Sequence, residues 1–138
     1  MSVESNKFLL RRLFQEILNG RKLAVIPDLV GKNYHLHNPP PGLPEGIGGF
    51  TELVRMYHAG FPDLIITIEE LIGERDMALA RWTGRSTHKG PFMGIPPTGK
   101  AIAITGMTLV RIADRKVVEE WTEMDTVGML RQMGVVPA

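Results

Sequence analysis

The 138-residue sequence contains no cysteine. Disulfides, a thiolate nucleophile and cysteine-ligated zinc are thereby excluded. Charge of one sign is missing as well: 16 basic residues stand against 15 acidic ones, for a formal net charge of +1. Such a balance gives little long-range attraction to nucleic acid or to an anionic membrane, so neither is expected as a partner. No apolar run approaches the ~20 residues that span a bilayer. The opening Met1-Ser2-Val3-Glu4-Ser5-Asn6 lacks the basic, apolar and small-residue blocks of a secretory leader, and a cytoplasmic protein is expected. Internal repeats and low-complexity segments are absent too.

What is present is an apolar content of 43%, enough for one domain over residues 1–138 that buries roughly two-thirds of its unfolded surface. Its chemistry must come from carboxylates, imidazoles, hydroxyls and shape.

Leu9, Leu10, Leu13, Phe14, Ile17 and Leu18 recur at helical spacing, with Ser5 or Asn6 as the expected cap and Asn19-Gly20 as the stop. A second, irregular helix is expected from about Arg21 to Val30, because Pro27 is tolerated only in a first turn. Tyr34 to Asn38 reads as a short extended piece, and residues 38–49 read as a loop rich in proline and glycine. Ile47, Phe50, Leu53, Val54 and Tyr57 mark a third helix that ends near Gly60. After residue 63 the pattern changes: Leu64–Ile72, Met77–His88, Ala101–Ala113 and Val117–Met124 read as strands, with short turns predicting antiparallel hairpins. Thr126–Met133 is a final helix. Helices followed by a sheet give an α+β domain. Ala101–Ala113 is apolar on both parities, so the sheet needs a cover on each face; helices supply one, and a second subunit is expected to supply the other.

Gly94-Ile95-Pro96-Pro97-Thr98-Gly99-Lys100 has the spacing of a phosphate-cradling loop. Two prolines remove N–H donors, Ala101 replaces the hydroxyl residue and a strand follows, so it reads as a rigid inter-strand loop. His35 and His37 share a face at a spacing that suits metal ligands, with His58 or His88 as a third. No acidic ligand sits at a recognisable offset, so no metal is expected and the histidines read as polar lining of a pocket. His88 ends the parity row Ala78, Ala80, Trp82, Gly84, Ser86, whose small residues would leave room beside it. In a regular strand, Trp121, Glu123 and Asp125 share one face. A carboxylate beside an indole in an apolar cleft has its pKa raised toward the range of a useful base. Asp125 equally occupies the N-cap position of the last helix.

Phe61-Pro62-Asp63-Leu64, Arg81-Trp82-Thr83, Thr87-His88-Lys89-Gly90, Phe92-Met93-Gly94-Ile95-Pro96-Pro97-Thr98-Gly99, Glu119-Glu120-Trp121 and Asp125 through Leu130-Arg131-Gln132-Met133-Gly134 occur in order, preceded by His37-Asn38-Pro39. Together they resemble the SnoaL-like polyketide cyclases, also called ester cyclases. The resemblance implies an α+β cone, a curved, mostly antiparallel sheet around N-terminal helices with an internal apolar pocket. It also implies cofactor-independent, metal-free ring closure by intramolecular aldol condensation, or related isomerase or lyase chemistry, on a hydrophobic carbonyl compound. Asp125 matches the family's acid/base aspartate, with His88 and His37 as polar helpers. Trp82, Trp121, Met93, Met107, Phe92, His35 and Tyr57 are expected to contact the substrate. A non-catalytic small-molecule-binding domain of the same fold is the alternative. Asp114-Arg115-Lys116 stands where the family has Asp-Gly-Lys, so either Arg115 takes an unusual turn conformation or the hairpin differs.

Overall fold

A computed structural model describes residues 2–136. Helix α1 (Val3–Arg12) runs on into a π-helical segment, Leu13–Asn19. A 3-10 turn, Leu23–Val25, leads to the single-turn α2 (Ile26–Leu29), where Pro27 sits in the first turn and needs no helical N–H partner. Strand β1 (Val30–Leu36), helix α3 (Ile47–Gly60), strands β2 (Ile65–Glu74), β3 (Met77–Thr87), β4 (Ala101–Ala113) and β5 (Lys116–Met124), and helix α4 (Thr126–Met133) complete the chain. The five strands form one curved, unclosed sheet in the order β1-β5-β4-β3-β2, antiparallel throughout except for the parallel β1–β5 edge pair.

Two local expectations are corrected and one open alternative is resolved. The cap of α1 is Ser2, which exchanges reciprocal side-chain-to-backbone hydrogen bonds with Ser5. Asn6 is instead buried against the sheet and donates to the Arg75 carbonyl. The first extended segment starts at Val30, not Tyr34, because the main chain of β1 finds a partner in β5. The hairpin question has a definite answer: Asp114 and Arg115 both have left-handed φ, 51° and 62°. A two-residue mirror-image turn requires that of both central residues.

The concave face of the sheet packs on the first helix. Leu10, Leu13, Phe14 and Ile17 meet Ala78, Ala80, Trp82, Val110, Ile112 and Val117 in one core cluster. Opposite Trp82 in the β3–β4 register lies Gly106, where a Cβ would stand 2.4 Å from the indole Cζ2. The missing side chain lets the ring lie across β4. Two side-chain amides close strand edges: Asn19 bonds both the N–H and the C=O of Ile66, and Gln132 does the same for Ala103. On the convex face, Ile72, Leu79, Leu109 and Trp121 stand in register across four strands, with Arg81–Glu70 and Arg111–Glu119 ion pairs beside them. Among the described residues, no helix is long and apolar enough to cross a membrane.

Candidate active site

Between the concave face of the sheet, α3 and the 89–100 loop lies a cavity of about 340 Å³. Phe14, Leu53, Val54 and Tyr57 reach it from the helices, Trp82 and Ile104 from the sheet, and Phe92 and Met93 from the loop. Among the described residues, no lysine, arginine or histidine lines it. Its polar groups are few: the carboxyls of Glu120 and Glu123, hydroxyls including those of Tyr57, Thr108 and Thr122, and the amide of Asn38.

Glu120 is the buried acid of this cavity, 8% exposed. Its Oε1 accepts from the Tyr34 hydroxyl at 3.0 Å and its Oε2 from the Thr122 hydroxyl at 2.7 Å. The Thr122 hydroxyl lies 3.0 Å from that of Thr108, which accepts from the Trp82 indole N–H at 3.0 Å. Burial pushes the Glu120 carboxyl above its ordinary value, against the opposing effect of its two hydroxyl partners. It therefore tends to hold a proton where an exposed glutamate has lost one. Tyr57 is pushed up to about 12 by burial and by the nearby Glu120 charge, so its hydroxyl remains a neutral donor. The nearest partner of that hydroxyl is the weak acceptor Met124 Sδ at 3.9 Å.

Of the residues singled out from sequence, Trp82, Phe92, Met93 and Tyr57 line the cavity. The others do not. Asp125 is exposed and caps α4, its Oδ1 accepting from the Gly128 N–H at 2.9 Å. His88 is fully buried outside the cavity lining; its Nδ1 meets Thr98, and its Nε2 has no hydrogen-bond partner among the described residues. There it ties the start of the 89–100 loop to its end. His37 stacks on Trp121 at 4.2 Å and bonds Glu119, while His35 meets His37 edge-on and lies 3.2 Å from a Glu45 carboxyl oxygen. With Met107, half exposed, these form part of the convex face. Among the described residues, no cluster of three or more His, Asp or Glu is placed to hold a metal.

One irregularity explains why Glu120 escapes a sequence reading. Glu119 pairs with Arg111, but Val117 pairs with the next residue, Ile112, so Val118 is an extra residue in β5. Val117 and Glu120 both face inward, three residues apart. An unbulged strand with Val117 inside would turn Glu119, Trp121 and Glu123 inward instead.

Capping makes a separate prediction. Asp125→Ala should cost ~1 kcal/mol in urea unfolding, as loss of a helix cap does, and leave ligand affinity for the cavity unchanged; a ligand-binding titration alongside the unfolding curve reads both.

The sequence matches the SnoaL-like polyketide cyclases over residues 8–133, and the chain belongs to that family. Among solved structures it is similar to TsrD from Streptomyces laurentii, at 26% identity over 99% of each chain with a TM-score of 0.90. It is also similar to IdmH from Streptomyces antibioticus, a candidate polyketide cyclase, at 30% identity over 94% of this chain and 99% of that one, TM-score 0.81. A third is AclR from Streptomyces galilaeus, a candidate hydroxylase, at 25% identity over 99% and 89%, TM-score 0.85. No curated protein matches the chain. The curved sheet and four helices are the shared fold of these neighbours.

Proposed function

We propose that this protein is a cofactor-independent cyclase that closes a ring by intramolecular aldol-type addition in an uncharged, hydrophobic β-dicarbonyl compound, with Glu120 as the proton carrier. The observation that carries this reading is a buried carboxyl, raised by its burial, in a mostly apolar cavity where no lysine among the described residues offers an amine for a Schiff base. In the enol form of such a substrate, the nucleophilic carbon attacks a carbonyl of the same molecule. Glu120 gives its proton to that carbonyl oxygen as the carbon–carbon bond forms. The carboxylate left behind takes the enol proton, and both substrate and acid return to balance. The Tyr57 hydroxyl donates to the enol oxygen, and the walls fold the chain into a reactive shape while excluding water. The test is conversion of aromatic β-keto esters with an unclosed last ring, followed by mass and absorbance. Ring closure by wild-type protein, slowed by about 10²–10⁴-fold in Glu120→Gln, is the expected result. Tight binding of such esters without conversion would favour a ligand-binding domain.

We further propose that a second copy of the chain covers the convex face. The row Ile72, Leu79, Leu109, Trp121 is apolar and runs across four strands, and Ile72 is 58% exposed; contiguous apolar surface of this kind marks interaction sites. The ion pairs flanking it place both signs at its margin, as a self-complementary interface needs. Sedimentation should give a two-chain mass for the wild type and a one-chain mass for Met107→Lys; a one-chain wild type at all concentrations overturns the proposal.

A further inference from the structure

We propose that Trp82, Thr108 and Thr122 form a one-way hydrogen-bond relay that aims a hydroxyl donor at Glu120 Oε2 and so sets how readily that carboxyl gives up its proton. They are positioning residues, and their catalytic meaning rests on the reading of Glu120 as proton carrier. The direction follows from donor chemistry. An indole N–H can only donate, so Thr108 Oγ1, 3.0 Å away, must accept from it. Thr108 can then pass its own hydrogen to Thr122 Oγ1 at 3.0 Å, and Thr122 passes its hydrogen to Glu120 Oε2 at 2.7 Å. The reverse polarity makes Thr108 accept from both neighbours and leaves its buried hydrogen without an acceptor, which costs desolvation. Polarised in one direction, each donor strengthens the next.

The backbone is shaped for this chain of donors. The indole reaches over β4 because Gly106 has no side chain to block it. Thr108 pairs with Thr122 in the β4–β5 register, which puts their hydroxyls side by side on the concave face. The Asn38 side chain bonds both the N–H and the C=O of Thr122 and fixes that residue from the end of β1. The other titratable groups around Glu120 are Tyr34 on β1, which bonds Oε1, Tyr57 on α3, and Glu123 farther along β5 at the cavity. None of them touches the relay side of the carboxyl. Burial raises the Glu120 carboxyl, and the Thr122 donor works against burial.

The experiment is a carboxyl titration of ligand-free protein carrying ¹³C-labelled glutamate, with Glu120 assigned by its loss in Glu120→Gln. Thr122→Val removes the direct donor and should raise the midpoint by about one unit. Thr108→Val and Trp82→Phe, which touch the carboxyl only through Thr122, should raise it less but in the same direction, and Thr108→Ser should restore the wild-type value. Midpoints in Thr108→Val and Trp82→Phe equal to wild type, or lower, overturn the relay. If Trp82→Phe does not fold, the Thr108→Val and Thr108→Ser pair decides alone. The measurement needs no substrate, so a Glu120→Gln protein that still turned over would sink the catalytic reading and leave the relay standing.

Discussion

Glu120→Gln should lower kcat for ring closure by about 10²–10⁴-fold, the range that a positioned acid/base supplies, and leave the melting temperature at neutral pH unchanged or higher. The sign follows from linkage. Burial raises the carboxyl above 4.5 in the folded protein, whereas the unfolded chain loses that proton near 4.5. The folded state therefore binds more protons between the two values. The stabilisation from the protonated carboxyl is fully present below about pH 4.5 and is lost as pH rises through the folded value. Glutamine copies the shape of the protonated acid and does not titrate. The wild-type minus variant difference in unfolding free energy should thus fall with rising pH in that window and flatten above it. Urea unfolding of both proteins across the window checks the slope. A variant much less stable at neutral pH would mean that Glu120 is ionised in the folded protein, and the mechanism given above would lose its acid.

Phe14→Ala should cost ~3–5 kcal/mol, the usual range for removing a buried aromatic ring. Phe14 is 2% exposed, lies in the π-helical segment, packs tilted against Trp82 with ring centroids 6.4 Å apart, and lines the cavity. Phe8, six residues earlier, is 62% exposed. Phe8→Ala should stay within about 0.5 kcal/mol of wild type. The urea midpoints of the two variants make the comparison, and equal losses would contradict the placement of the core. Because Phe14 also forms one wall of the cavity, its alanine variant should bind planar ligands more weakly even where it remains folded.

These two residues mark where local sequence suffices and where it fails. Phe14 belongs to a stripe with helical spacing, and the strand and helix limits Ala101–Ala113 and Thr126–Met133 follow from β-branched runs and a capping aspartate. The parallel β1–β5 pairing has no local signal, since it joins segments some eighty residues apart. Neither has the bulge at Val118. Without that extra residue, strand alternation places Trp121 and Asp125 toward the interior, whereas the folded chain puts Glu120 and Thr122 there. Trp82, Phe92, Met93 and Tyr57 are legible as cavity residues because apolar bulk facing a hollow has few other uses, whereas Phe14, Phe50, Phe61, Met56, Met124 and Met129 line it without having been singled out and Met107 lies on the other face. His35, His37 and Trp121 were not, because stacked rings beside Glu119 satisfy one another on the outside.

Asn19 and Gln132 have a consequence for how the molecule behaves in a crowded solution. Each carboxamide occupies one N–H and one C=O on a sheet margin, Ile66 on the outermost β2 and Ala103 on β4 beyond the end of β5. Bare margins of that kind invite strands of other molecules to add on. Two planar side chains, each imitating a peptide unit, leave a foreign strand no continuous ladder at either place, so the chain discourages fibril-like stacking without closing its sheet into a barrel.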